Sequence, residues 1–403
     1  MQRIELKEGN TLILHGPASA ILIEGKASIL GCPLSSKKRL IVKSWRSRPI
    51  YAERDSIIEC TYGEGGGIEI IDGDTIPAEW REFAEKISAK PVKVCVYGGV
   101  DSGKTSLATF LANNLVRKFG AAIYLDLDLG QSNICPPTTI GYAFLKSPVP
   151  DISYLKMESG EPVGYTSPTP LVEKHINATE ILIKRLESKY PQVGVSVDFD
   201  GWISGDAAIK HKQQLLSMLK PDFLASIGPL PDELKKTCEE VGASYEELPP
   251  PFKVRKREQV ARRRLREIAY NRFLRKSLVR KIPISWLNVL TLNGLSDPRR
   301  ISMYINRILE EYSKESGEVF DSSGAEGLEE LAKKRIGLLS YLHDVEETFA
   351  GIGLLVAFNV RKNYLKILTP FEGQIKKLII GAILLSIDGE EIYSSPTILA
   401  QAP

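Results

Sequence analysis

The stretch Gly98-Gly-Val-Asp-Ser-Gly-Lys-Thr-Ser106 decides the fold. It fits G-x-x-x-x-G-K-[ST], a loop whose glycines let the backbone wrap nucleotide phosphates. The same pattern also arises by chance in glycine turns, so its flanks matter. Before it runs VKVCVYGG, apolar and β-branched, a predicted strand. After it, from Lys104 to Phe119, Leu107, Phe110, Leu111 and Leu115 recur on one helical face. A strand, this loop and then a helix aim free N–H groups of the helix N-terminus at an anion. Gly98, Asp101, Ser102, Gly103, Lys104, Thr105 and Ser106 form the predicted nucleotide-binding set. Within it Lys104 reaches the β- and γ-phosphates, and Thr105 holds Mg²⁺ through its hydroxyl.

The next strand, AAIYLDLDLG, ends in two carboxylates, Asp126 and Asp128. A period of two puts both on one face, and the C-terminal edge of a parallel sheet turns that face toward bound phosphates. One carboxylate organises Mg²⁺, and the other accepts a proton from an attacking hydroxyl. The plainer alternative, one aspartate capping a loop, stays open for either residue.

Strands alternate with helices from about Pro91 to the PPP run at Pro249–Pro251, which predicts a parallel α/β sheet. Residues 1–87 carry short apolar runs (TLILHG, SAILIEG, RLIVKSW, IIECTYG, GIEIIDG) at roughly 8–12-residue spacing, a small sandwich or barrel. A connecting helix is expected over Ile76 to Ile87. Residues 283–403 read as mostly β, with a polar loop starting at Lys314. The expected architecture is an α/β P-loop domain (88–282) flanked by a β-rich N-terminal domain and a mixed, mostly β C-terminal domain.

The five cysteines are scattered, with no Cys-x-x-Cys pair, which argues against a disulfide framework and a zinc site and favours a reducing, cytoplasmic setting, or a nuclear one in a eukaryotic source. No apolar run approaches the about 18 residues of a membrane span, so no membrane partner is expected. The net charge of +3 does not mark a nucleic-acid partner, but its distribution is uneven. Lys253 to Lys281 holds thirteen Lys/Arg against two Glu, a local excess of +11 that leaves the rest of the chain at −8.

The ordered set GGVDSGKTS, DLDLGQS, GYTSPTP (Gly164 to Pro170) and DGWISG (Asp200 to Gly205) resembles the polynucleotide 5′-hydroxyl kinase family. That family includes the RNA kinase of the pre-mRNA cleavage machinery, the ribosomal-RNA-processing kinase and archaeal relatives. The resemblance is sharpest between about residues 92 and 275. It implies that Asp128 is the base near the acceptor 5′-hydroxyl, with Mg²⁺ shared among Thr105, Asp126 and Asp128. It further implies that Gln131, Thr166 and Ser167 serve the acceptor strand, and that Trp202 stacks on its terminal base, a contact that tolerates any base. Taken alone, Thr166-Ser167-Pro168 is a turn signature, and Trp202 reads equally as a core residue. Asp198-Phe199 stands where the family commonly has Asn-Thr, a departure that either alters acceptor contacts or is a local structural change, and that bears on acceptor preference more than on phosphoryl transfer.

The resemblance also implies a lid over about 255–278 with paired arginines, matched best by Arg257 and Arg262. Helix geometry, at about 100° per residue, instead groups Arg255, Arg262 and Arg266 and turns Arg257 away. The two agree if the helix begins after Arg257. Arg266 then joins the substrate-binding set. A solvated basic face or general RNA-binding surface is the alternative reading of these arginines. The expected reaction moves the γ-phosphate of ATP, or GTP, to the 5′-hydroxyl of RNA, with DNA a second acceptor and RNA-processing proteins as partners. Two rivals are a nucleotide-bound scaffold of an RNA-processing assembly and an NTPase switch that phosphorylates no acceptor.

Overall fold

The computed structural model of the chain describes residues 1–36, 38–87, 90–253, 258–317 and 325–399. They form two compact units: Met1–Leu127, Tyr142–Glu158 and Ile183–Ala261 in the first; Asp128–Gly141, Ser159–Leu182 and Arg262–Pro403 in the second.

The first unit opens with β1 (Gln2–Leu6), β2 (Asn10–His15), β3 (Ala18–Ile29), β4 (Cys32–Pro33), β5 (Leu40–Val42), β6 (Ser47–Tyr62) and β7 (Gly67–Asp72). The predicted sandwich or barrel is a single hydrogen-bonded antiparallel sheet, ordered β4-β3-β6-β2-β7, with β1 added to β6 and β5 to β3. The 16-residue β6 makes this possible: its first part pairs with β2, its second with β1, and β3 lines its other side. Alternation sorts its faces, so Ile50, Ala52, Ile58 and Cys60 are fully buried, facing Leu12 and Leu14 in one core.

The connecting helix α1 (Ala78–Lys86) buries Trp80, Phe83 and Ala84. The Trp80 indole N–H donates to the Pro249 carbonyl at 2.9 Å, and the Phe83 ring meets Phe223 edge-on at 5.8 Å. Burying each of these two rings stabilises by about 2–3 kcal/mol, enough to fix the helix on the α/β sheet.

That α/β region comprises β8 (Lys93–Gly98), α2 (Lys104–Phe119), β9 (Ala122–Asp126), β10 (Thr139–Leu145), β11 (Ser159–Pro162), α3 (Val172–Lys189), β12 (Gly194–Asp198), α4 (Asp206–Leu219), β13 (Phe223–Ile227), α5 (Asp232–Val241) and β14 (Ser244–Leu248). Within the first unit the strands run β9-β12-β8-β13-β14, every pair parallel. β9 and β12 are buried at every residue, as a sheet covered on both faces requires. Gly120 ends α2 in the left-handed region at φ +81°, returning its N–H to Val116 O at 2.8 Å.

The second unit contains α6 (Gln259–Leu274, apart from its first three residues), β15 (Leu278–Ile282), β16 (Asn288–Thr291), α7 (Pro298–Ser316), α8 (Ala325–Lys333), β17 (Ile336–His343), β18 (Phe349–Asn359), β19 (Tyr364–Thr369), β20 (Lys377–Ser386), β21 (Glu391–Ser394) and α9 (Pro396–Leu399). Its sheet runs β15-β19-β18-β17-β20-β16, antiparallel except for β16 on β20, with β21 paired to β20. Lys314, expected to begin a loop, lies in the last turn of α7. Asp297 starts that helix by accepting from Arg299 N and Arg300 N, with Pro298 in its first turn.

All five cysteines are free and buried. Burial pushes the Cys32, Cys60 and Cys238 thiols up to about 11, so none of these three is a thiolate at neutral pH.

One ion pair ties the N-terminal sheet to the strands after the P-loop. Arg48 on β6 gives Nε and Nη2 to Asp151 Oδ2, at 3.0 and 2.5 Å, and Asp151 also caps the turn Ile152–Tyr154. Burial pushes the Asp151 carboxyl up, but Arg48, Arg46 and the Ser153 N–H outweigh it and hold it at about 2 against an ordinary 3.8. A depressed carboxyl stabilises the fold fully above its unfolded value and loses that contribution as pH falls through the folded one. Stability measured by chemical denaturation should therefore drop between about pH 4 and pH 2. Asp151→Asn should cost about 2–3 kcal/mol at pH 7 and flatten that acid limb.

Candidate nucleotide and acceptor site

The phosphate loop bends where its sequence permits. Gly98 (φ +151°) and Gly103 (φ +104°) take conformations that side chains disfavour, and Asp101 adopts the left-handed region at φ +55°. A Cβ on Gly103 would lie 2.7 Å from Pro251 Cδ, so the PPP run packs directly on the loop. Gly103 caps α2 without a side-chain bond, and the first turn of α2 has no acidic residue, leaving its N-terminal N–H groups electropositive. Lys104 is buried, its Nζ donating to the Gly99 carbonyl at 2.7 Å. Ser102 Oγ is buried with no hydrogen-bond partner among the described residues. Glycine turns, a helix N-terminus, a lysine and an unmatched hydroxyl suit a polyphosphate.

The carboxylate beneath this loop is one to which sequence reasoning gave no site role. Asp198, the last residue of β12, accepts the Thr105 hydroxyl at 2.6 Å and the Tyr124 hydroxyl at 2.7 Å, both on Oδ2. It pairs in register with Val96 on β8 and with Asp126 on β9. Asp198 thus bonds the first turn of the helix that follows the phosphate loop, a place the sequence left open. Its local signal was partial: an aspartate closes the short strand Gly194-Val-Ser-Val-Asp198, at the sheet edge where P-loop proteins keep their metal carboxylate. Thr105, Asp126 and Asp198 offer only hard oxygen atoms, the donor set Mg²⁺ takes.

β9 ends at Asp126, so strand periodicity does not carry to Asp128, and the common-face argument fails. Asp126 is fully buried. Asp128, in the second unit, is oriented by a turn instead: its Oδ1 accepts Gly130 N at 2.9 Å and Gln131 N at 2.8 Å. The loop-capping alternative is therefore real for Asp128, and these two bonds also hold its carboxylate in a fixed pose.

The residues on either side of Trp202 pack on the phosphate loop. A Cβ on Gly201 would come within 2.7 Å of Val100 Cγ2 and 3.0 Å of Val100 Cα, and one on Gly99 within 3.3 Å of Ile203 Cδ1. Gly201-Trp202-Ile203 and Gly99-Val100 are thus in backbone-scale contact. Trp202 is half-buried rather than a core residue. Its N–H donates to Asp200 Oδ1 at 2.9 Å, and its ring lies 5.6 Å from His211. Asp200 is ion-paired to the fully buried Lys212, whose ammonium sits 3.2 Å from His211 Nδ1. Sequence reasoning missed this pair, since nothing in the spacing of Asp200 and Lys212 marks them as partners.

In the second unit, Gln131 Nε2 donates to the Gly130 carbonyl at 2.9 Å and to the Arg262 carbonyl at 3.2 Å, linking the aspartate turn to the basic helix. A Cβ on Gly130 would lie 2.8 Å from the Thr166 carbonyl, so the same turn abuts Thr166-Ser167-Pro168. Ser167 Oγ and Thr169 Oγ1 share a bond of 3.0 Å. α6 begins at Gln259, after Arg257, while Arg255 and Arg257 lie outside the described residues. Arg262 is half-buried in the first turn. Arg266 departs from expectation: Glu391 takes its Nε and Nη2 at 2.6 and 2.8 Å, making it an anchor of the helix rather than an open substrate contact.

Residues 98–276 match the family model of the P-loop of mRNA cleavage and polyadenylation factor CLP1. The polyribonucleotide 5′-hydroxyl-kinase of Methanocaldococcus jannaschii is 38% identical over 142 residues, 35% of this chain and 38% of that protein. Its counterpart in Thermococcus kodakarensis is 28% identical over 342 residues, 79% of this chain and 95% of that protein. The structure of wild-type Clp1p in its complex with Pcf11p superposes with a TM-score of 0.68 at 14% identity, covering 94% of this chain and 97% of that one. The fold is thus the α/β P-loop fold with a β-rich sheet on either side in sequence. Residues 98–276 thus resemble the P-loop of the CLP1 family, and most of the chain's length is similar to the archaeal polyribonucleotide 5′-hydroxyl-kinases.

Proposed function

We propose that the chain is a polyribonucleotide 5′-hydroxyl kinase that transfers the γ-phosphate of ATP, or GTP, to the 5′-hydroxyl of single-stranded RNA, with DNA a second acceptor. The observation that carries this reading is the seating of Gly201-Trp202-Ile203 against the phosphate loop at Gly99-Val100. A phosphate loop serving only hydrolysis has no use for a half-buried tryptophan held beside it by a buried ion pair. A base-stacking platform beside the transferable phosphate is what a 5′-end acceptor requires. The names of relatives that share most of the chain's length support the same activity.

In this reaction the acceptor oxygen attacks the γ-phosphorus as the bond to the β-phosphate oxygen breaks. Asp128 takes the hydroxyl proton, and the nucleoside diphosphate leaves. Lys104 and Arg262 balance negative charge on the moving group, and Gln131, Thr166 and Ser167 hold the acceptor backbone. Thr105 and Asp126 would hold Mg²⁺, which when bound neutralises charge on the β- and γ-oxygens. RNA-processing proteins as partners, and a reducing intracellular setting, complete the reading. The solved Clp1p–Pcf11p complex supports the first and five buried free thiols support the second.

Purified protein, Mg²⁺ and γ-labelled ATP should label a 5′-hydroxyl RNA and leave its 5′-phosphorylated copy unlabelled. Lys104→Ala should reduce transfer at least a hundredfold, from the loss of about 3 kcal/mol of charge stabilisation. Free phosphate with no labelled RNA would favour the NTPase switch, and retained nucleotide with neither product the scaffold. Trp202→Ala should raise the KM for RNA about 5- to 100-fold, the value of one base–aromatic stack, with little change in nucleotide affinity.

A further inference from the structure

The sheet of the second unit carries an aromatic and cationic corner that the proposed reaction leaves unused. Trp286, in the turn Ile284–Trp286 after β15, is 73% exposed, although tryptophan is on average a highly buried residue. The turn that carries it is firmly held. The Pro283 carbonyl accepts the Trp286 backbone N–H at 3.1 Å. Asn363, in the left-handed region at φ +50°, grips the turn three ways. Its carbonyl accepts Ile284 N at 3.4 Å, its side-chain oxygen accepts Ser285 N at 3.1 Å, and its amide donates to Ser285 Oγ at 2.9 Å. An exposed indole on a fixed turn loses little freedom when a flat partner stacks on it.

The residue after Asn363, Tyr364, gathers positive charge. Lys281 and Lys366 stand directly opposite each other in the β15–β19 register, where like charges repel. Both ammonium groups nevertheless lie by the Tyr364 ring, 4.5 and 5.7 Å from its centroid. Glu329 answers Lys366 at 3.5 Å, but no carboxylate among the described residues pairs with Lys281. Arg361 and Lys362, exposed in the turn before Tyr364, add two more cations. A fastened flat ring beside unpaired cations suits single-stranded nucleic acid, with a base on the ring and phosphates on the lysines. Protein interfaces, by contrast, are depleted in lysine.

We propose that this corner, Trp286 with Lys281 and the Arg361–Lys362 turn, is a second RNA-binding surface that holds the body of a single-stranded RNA, separately from the groups that hold its reacting 5′ end. One base stacks on Trp286, and the neighbouring phosphates meet the cations. The surface rests on the proposed function only in taking RNA as the bound polynucleotide.

The test measures, by fluorescence anisotropy, how the full chain binds 3′-labelled single-stranded RNAs of about 30 and about 5 nucleotides, the shorter able to fill one contact site only. The wild-type chain should bind the longer RNA more tightly. Trp286→Ala, a change at an exposed side chain, should weaken binding of the longer RNA about 5- to 100-fold, the value of one base–aromatic stack, and leave the shorter unchanged. Lys281→Ala should lower the slope of log affinity against log salt for the longer RNA by about 0.7. Full affinity of the double variant for the longer RNA overturns the proposal and leaves this face to a protein partner. Equal losses on both RNAs overturn it as well, since the change would then act on the acceptor site. Failure of RNA labelling in the wild type, with length-dependent binding through Trp286 intact, would reject the kinase and keep this surface. Normal labelling with binding indifferent to RNA length would do the opposite.

Discussion

The chemistry of the first unit depends on one register: β12 hydrogen-bonds between β8 and β9, with Asp198 opposite Val96 on one side and Asp126 on the other. Backbone ladders cannot slide by a residue when every side chain of β9 and β12 is buried, because a slip would move each to the opposite face. That pairing fixes the depth at which the strands stop. The phosphate loop leaves β8, a carboxylate ends β12 beside it and another ends β9 beyond, and the segment bearing Trp202 leaves β12 against Val100. Loop, carboxylates and the Trp202 segment therefore share one rigid base, so small errors in one are not free to accumulate against the others.

Much of this was legible in the residues, and the reason is local. The P-loop, its strand and its helix announce themselves through glycine spacing and apolar periodicity, and α2 runs from Lys104 to Phe119 as the pattern requires. The strands β17 to β20 were similarly readable, since each is an apolar run that ends at a polar turn. What escaped was set by pairing between distant segments. Asp198 and Thr105 are 93 residues apart, and nothing local shows that β12 lies beside β8, the strand that feeds the loop and α2. The Asp126–Asp128 reading failed for a related reason: a period of two holds only while the strand lasts, and it ends at Asp126. Arg266 was misjudged because composition counts its charge without counting Glu391, which lies 125 residues away.

The basic helix shows how charge and structure divide the work. Glu267 receives Arg263 and Arg264 along the helix, Glu391 receives Arg266, and the Asn133 carbonyl receives Arg272. Much of the apparent cationic excess thus holds α6 in place. Exposed pairs such as Arg263 and Arg264 add little stability, whereas the two-pronged Arg266–Glu391 contact, with both side chains largely shielded, orients the helix. Asn271 strengthens the same attachment by donating to the Asp388 carbonyl, and Gly389 lets the turn before β21 approach so closely that a Cβ there would lie 2.7 Å from the Glu267 carbonyl.

This attachment imposes an order of events on the ribosome. Every strand that carries the nucleotide-binding residues is complete by Leu248, so that sheet can assemble while later residues are still being made. The basic helix comes next in sequence, but Glu391, to which it is fastened, emerges 125 residues after Arg266, together with Asp388 and Gly389. Between those moments a nascent chain holds a formed phosphate loop beside an unfastened, strongly cationic segment, close to ribosomal RNA. The β20–β21 hairpin is therefore a late-arriving latch: the helix is seated only once the strands of the last sheet have been made.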